Sequence, residues 1–218
     1  MIVTADGVQL EARWDRPDTM PVGCVVFCHP HPLDGGTMNA PLMKGITRVL
    51  VRSGLAVLRF NFRGVGGSRG TWGGGDGEVI DVAAAVAAAA GGDAGTLRGI
   101  AGWSFGATTS LRWQAESGST VAWAGIAPGI RPYRGAAPPD VTRLAAASRL
   151  IVLGDRDQFA TPGDMTEYAA AIGARLELLA GSDHFFHFRE QVVGRLIAEH
   201  FGAATPPADR TTQVDGGR

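Results

Sequence analysis

The sequence predicts an α/β fold, with a mostly parallel central sheet and helices on both faces, from three observations. Short apolar runs without alternation recur along the chain (VGCVVFC, LAVLRFNF, RLIVLG), as expected of strands buried on both faces. Segments with helical spacing separate them, and strands alternating with helices argue for parallel pairing through crossovers. Glycine supplies 32 of the 218 residues, against a usual share of ~7%, and shows no triplet period, so it belongs to tight loops.

Each element follows in order. The stretch VTADGVQLEARW alternates around a glycine, which predicts a β-hairpin at a sheet edge. VGCVVFCHP is a buried strand, and Pro41 to Ser53 has helical spacing through Leu42, Ile46, Val49 and Leu50. LAVLRFNF is a second buried strand, closed by the glycine-heavy loop RGVGGSRGTWGGGDG. Glu78 to Ala90 reads as a helix, TLRGIAG as a strand and FGATTSLRWQA as a helix. VAWAGIAP and RLIVLGD are further strands, residues 163–172 a helix, LELLAG the last strand, and 188–201 the closing helix. At ~150 residues per domain the length suits one domain with trimmings, here residues 1–202. Residues 203–218 lack apolar periodicity and are expected to form a mobile tail.

Composition narrows the function classes. Twenty basic residues against 21 acidic ones leave a net charge of −1 with no basic stripe, which argues against nucleic acid as a partner. No apolar run reaches the ~18 residues of a membrane span, and the N-terminus lacks the basic start and apolar core of a signal peptide. Cys24 and Cys28 fall on one face of a strand, about 13 Å apart at ~3.3 Å per residue, too far for a disulfide. They read as buried reduced thiols of a cytoplasmic protein.

The strongest local signal is Gly102-Trp103-Ser104-Phe105-Gly106, between a predicted strand and a predicted helix. A serine hydroxyl attacks well only when held rigidly beside a base. A sharp strand-to-helix turn does this, with glycines two residues either side so that backbone and helix approach closely. The turn also sets the Phe105 N–H at a helix N-terminus, where it could stabilise an oxyanion. A base and an orienting carboxylate should follow in the order serine, acid, histidine.

Of the histidines after Ser104, His184 follows the last predicted strand, at the sheet end where open α/β sheets keep their working residues. His187 is the second choice, its simpler reading being a residue at a helix start, and His200 falls inside the closing helix. For the acid, Asp155 and Asp157 both follow a buried strand. Asp157 is preferred because two more residues let the loop bend toward His184, while Asp155 braces the loop. The simpler reading of either is a turn residue. Asp183 would point away from its neighbour His184.

The loop FCHPHPLDGGTMNAP carries His29 and His31 at i and i+2, without a third ligand at workable spacing, so no metal is expected. Its prolines stiffen it so that a backbone N–H, from His31 or Leu33, faces Ser104. The glycine run after LAVLRFNF lacks the endings of both phosphate-binding glycine motifs. It is read as a loop near the site, with Trp72 as a wall, and no nucleotide or other cofactor is expected.

The ordered segments HPHPLDGGTMN, FRGVGGSRG, GWSFG, GDRD and DHFFH, spanning about residues 20 to 200, resemble the α/β-hydrolase superfamily. The likeness is to its small cap-less bacterial members, described as predicted esterases and distantly similar to dienelactone hydrolases. The resemblance implies Ser104 as nucleophile, His184 as base, Asp157 as acid, and the Phe105 and His31 amides as oxyanion hole. Where such proteins carry His-Gly at the oxyanion loop, this chain has His29-Pro30.

Only about eighteen residues separate Gly129 from Arg149, too few for a lid domain, so a loop with one short helix and an open site are expected. The expected function is hydrolysis of small carboxylic esters through an acyl-enzyme. Thioester hydrolysis, acyl transfer or cyclisation on the same residues, and a non-catalytic small-molecule binder, are the alternatives. The expected partner is a small ester or thioester; a homodimer is compatible with the sequence.

Overall fold

A computed structural model describes residues 1–204. Its centre is a seven-stranded sheet in the order β3-β5-β4-β6-β7-β8-β9. These strands are β3 (Ala12–Asp15), β4 (Gly23–Cys28), β5 (Leu55–Phe60), β6 (Leu97–Trp103), β7 (Ala122–Ile126), β8 (Arg149–Gly154) and β9 (Ala174–Leu179). Only β3 runs antiparallel, pairing with β5; the other neighbours pair in parallel. The expected N-terminal hairpin is present as a separate two-stranded sheet of β1 (Ile2–Val3) and β2 (Gln9–Leu10).

Among the described residues five α-helices cover the sheet: α1 (Pro41–Arg52), α2 (Asp76–Ala90), α3 (Phe105–Ser117), α4 (Pro162–Ala171) and α5 (Glu190–His200). Strand alternation divides the core. Val25, Phe27, Leu55 and Val57 join Met43 and Ile46 of α1 and Ile197 of α5 on one face. Val26, Cys28, Leu58 and Phe60 meet Val82, Ala85 and Ala89 of α2 on the other. Cys24 and Cys28 share that second face as free, buried thiols.

Local chemistry accounts for the helix starts. Pro41 opens α1 and Pro162 opens α4, where the missing N–H has no helical partner to lose. Thr161 caps α4 by accepting from Asp164 N–H at 3.1 Å. α2 begins at Asp76, two residues earlier than the sequence suggests, because Glu78 reaches back to Gly75 N–H at 2.8 Å. The run LAVLRF also holds a buried charge: Arg59 donates to Asp15 on β3 at 2.8 Å and to the Met38 carbonyl at 2.6 Å.

Between β7 and β8 the chain makes a loop with one 3-10 turn, Val141–Arg143, and no lid domain. The expected mobile tail at residues 203–218 lies, from residue 205 onward, outside the described residues. Among the described residues, no helix is long and apolar enough to cross a membrane.

Candidate active site

Ser104 stands in the turn between β6 and α3 with φ 52° and ψ −116°. A non-glycine residue reaches positive φ at a cost of roughly 1–3 kcal/mol and stays there only when its surroundings hold it. Here they do. Ser104 N–H donates to the Ile126 carbonyl at 2.8 Å, and its own carbonyl accepts from Ala107 and Thr108 N–H at 3.0 and 3.1 Å. The flanking glycines permit this packing. A Cβ on Gly102 would lie 2.4 Å from Ala107 N, and one on Gly106 would lie 2.4 Å from the Cys28 carbonyl oxygen.

His184 and Asp157 meet from the loops after β9 and β8. His184 Nδ1 and Asp157 Oδ2 are 2.8 Å apart, and the Asp157 side chain is only 1% exposed. Burial pushes the Asp157 carboxyl up, but the His184 bond and the N–H groups of Phe159 and Ala160 outweigh it and hold the group below its ordinary value. Those two amides bind Asp157 Oδ1 at 2.8 and 3.0 Å. The carboxylate is thus ionised, pinned and turned toward the imidazole, whose Nε2 has no partner among the described residues. Ser104, Asp157 and His184 line one cavity of about 490 Å³. Among the described residues the Ser104 hydroxyl itself makes no hydrogen bond.

The neighbouring candidates are otherwise engaged. Asp155 accepts from Gly181 N–H at 2.7 Å and ties the two loops together. Asp183 accepts from Phe185 N–H at 3.0 Å within its own turn. His200 Nε2 bonds the Trp123 carbonyl at 3.0 Å, while His187 is exposed beside the Phe185 ring.

The loop after β4 supplies amides. Leu33 N–H donates to His31 Nδ1 at 3.2 Å, which removes it as a free donor. The His31 N–H has no partner among the described residues, nor has Phe105 N–H at the start of α3. Both residues line the cavity. His29 is structural: its Nδ1 donates to the Pro30 carbonyl at 2.7 Å and its Nε2 accepts from Phe62 N–H at 3.0 Å. Burial pushes the His29 ring down to about 4, so it stays neutral. Among the described residues, no group of three His, Cys, Asp or Glu side chains is arranged to hold a metal ion.

Trp72 is a correction. It does not line the cavity; its ring packs behind two residues that do, 4.9 Å from His31 and 5.5 Å from Phe105, while the adjoining Gly73 and Gly75 amides are held by Glu78. Sequence reasoning also missed the residues that hold His184 in place. Gln158 Oε1 accepts from His184 N–H at 3.2 Å, and Trp103 Nε1 donates to the His184 carbonyl at 3.2 Å. Trp103 lay inside the serine motif and was a visible candidate. Gln158 carried no signal.

Comparison with known proteins agrees with this architecture. The family profile described as an alpha/beta hydrolase domain matches residues 23–205. An uncharacterized protein of Rickettsia prowazekii is 27% identical over 202 residues, covering 88% of this chain and 84% of that protein. A serine hydrolase homologue from Coxiella burnetii superposes with a TM-score of 0.79 at 29% identity, over 91% of this chain and 95% of that one. A serine hydrolase without lid from Xanthomonas campestris gives a TM-score of 0.75 at 27% identity, over 92% and 91%.

Proposed function

The chain belongs to the α/β-hydrolase family, and from that premise we propose that it is a serine hydrolase of small carboxylic esters, with Ser104 as nucleophile, His184 as base and Asp157 as orienting acid. One observation carries the reading: the 2.8 Å His184–Asp157 pair opens onto the same cavity as a serine held at positive φ.

The chemistry runs in two halves. Ser104 Oγ attacks the ester carbonyl while His184 Nε2 takes its proton, and the new oxyanion is met by the Phe105 and His31 amides. The C–O bond to the alcohol then breaks, and His184 returns the proton to the leaving oxygen. Water, deprotonated by the same imidazole, attacks the acyl-serine; the acid leaves and Ser104 regains its proton. Asp157 holds the Nδ1–H tautomer and balances the charge on the imidazolium. No cofactor enters these steps. The free, buried thiols of Cys24 and Cys28 fit a cytoplasmic setting.

A fluorophosphonate probe followed by mass spectrometry tests the assignment. Label on Ser104 that is lost in His184→Ala is the expected result. Well-folded protein that takes no label would leave a binding protein as the better description. Turnover of matched oxygen esters and thioesters then ranks the substrate classes.

A further inference from the structure

Phe159 and Phe185 are large apolar side chains left 65% and 44% exposed, and both line the active-site cavity. Single exposed apolar side chains are ordinary on protein surfaces and need no explanation. These two stand together against the imidazole of His184. Their ring centroids lie 4.6 Å from it for Phe159, at 66°, and 5.6 Å for Phe185, at 83°. Both are anchored. Phe159 N–H donates to Asp157 Oδ1 at 2.8 Å, so its ring is carried by the carboxylate that orients His184. The Phe185 ring lies against Trp103 at 6.4 Å and His187 at 6.0 Å.

The proton's destination says what should cover these rings. As the tetrahedral intermediate collapses, the carbonyl C–O bond breaks, its electron pair stays on the leaving oxygen, and that oxygen takes the proton from His184 Nε2. The leaving oxygen therefore lies within hydrogen-bond reach of the imidazole, and the carbon chain attached to it extends over the rings that flank it. The oxyanion amides belong to a different ring cluster, in which His31 contacts Trp72, Phe105 and Tyr133. The carbonyl oxygen is thus met on the His31 and Phe105 side of the cavity and the leaving oxygen on the His184 side.

Building on the serine hydrolase reading, we infer that Phe159 and Phe185 are the binding platform for the alcohol half of the substrate, and that the enzyme selects esters of apolar, ring-bearing alcohols. With no lid domain to close over the site, the leaving group itself covers the rings and excludes water from the His184–Asp157 pair.

The test holds the acyl group constant and varies the alcohol. Methyl acetate and benzyl acetate share one acetyl-enzyme and one deacylation step. In the wild-type protein kcat/KM for benzyl acetate should exceed that for methyl acetate by about 10- to 100-fold, the factor that burying one phenyl ring is worth. Phe159→Ala and Phe185→Ala should each lower that ratio, and the double variant should bring it near one. A ratio cancels any shared loss of folded or reactive enzyme. Methyl benzoate against methyl acetate is the control, and its ratio should not move.

A wild-type alcohol ratio near one, or a ratio that survives the double variant, overturns the inference. So does a fall in the benzoate ratio in place of the benzyl ratio, which would assign the rings to the acyl half. Fluorophosphonate labelling on the same samples separates the two levels. Unlabelled wild-type protein overturns the hydrolase reading and this inference with it, whereas labelled protein with a ratio near one overturns this inference alone.

Discussion

Two glycine-bearing loops follow the strands on either side of β4 and end in opposite states. The loop after β5, residues 63–75, is the richer in glycine, yet carboxylates of the chain occupy its key amides. Gly67 N–H donates to Glu11 at 2.7 Å, and Gly73 and Gly75 N–H each donate to Glu78 at 2.8 Å. Arg63 N–H, at its start, donates to Asp81 at 2.9 Å. Such a loop resembles an anion cradle in sequence and carries its own anions. The turn after β6 has only Gly102 and Gly106, used for close backbone approach, and it leaves Phe105 N–H, at a helix N-terminus beside a serine, without a partner among the described residues. Glycine content therefore does not mark a site. Donors left open on a cavity, beside a serine held at positive φ, are the better guide.

Substitutions on either side of this contrast should separate activity from stability. The largest effect belongs to the site. Asp157→Asn should cut ester turnover by about 10³- to 10⁴-fold by favouring the wrong imidazole tautomer. Asp155→Asn, which keeps an acceptor for Gly181, should stay within about tenfold of wild type. Steady-state kinetics on the two variants decide it, and the reverse ranking would move the acid to Asp155.

The glycine loop should answer in stability. Glu78→Ala leaves the Gly73 and Gly75 amides without their acceptor, which should cost roughly 2–6 kcal/mol at ~1–3 kcal/mol per stranded group. Urea denaturation measures this loss, while Ser104 labelling of the folded fraction should be unchanged. A large loss of labelling at normal stability would make the loop part of the site.

The smallest effect lies where the two regions touch, at His29, whose ring accepts from Phe62 N–H. Its ordinary value of 6.5 falls to about 4 in the folded protein, so between those pH values the unfolded chain binds the proton and the folded chain does not. This group's contribution to stability is full above pH 6.5 and is lost as pH falls toward 4, by up to about 3 kcal/mol at 1.36 kcal/mol per pH unit. Denaturation midpoints over that range should show the slope, and His29→Asn should reduce it. An equal slope in both proteins would mean that His29 titrates alike folded and unfolded.

Much of the fold was legible because buried parallel strands leave a local signature. VGCVVFC and RLIVLG are apolar on both faces, and the helices that follow them open with Pro41 and Pro162. The serine motif was legible for the same reason: its glycines answer to contacts that a strand-to-helix turn always makes. Asp157 was distinguished from Asp155 only by loop reach; the fold sets its Oδ2 2.8 Å from His184 Nδ1. Trp72 was misplaced because a ring at a loop end has no local rule for which wall it joins. Gln158 was invisible because its one bond, to His184 N–H, spans 26 residues of chain.

The sequence by itself determined the mostly parallel sheet class, the helix boundaries to within a few residues, and the strand-to-helix turn around Ser104, since all of these rest on hydrophobic period and short-range backbone chemistry. Only the tertiary structure decided which donors remain open, which carboxylate reaches the imidazole, and which rings face the cavity. Hydrogen-bond partners and ring contacts arise between segments far apart in the chain, so residue type and spacing can nominate a side chain for the site, but only the packed fold decides whether its partners are already taken.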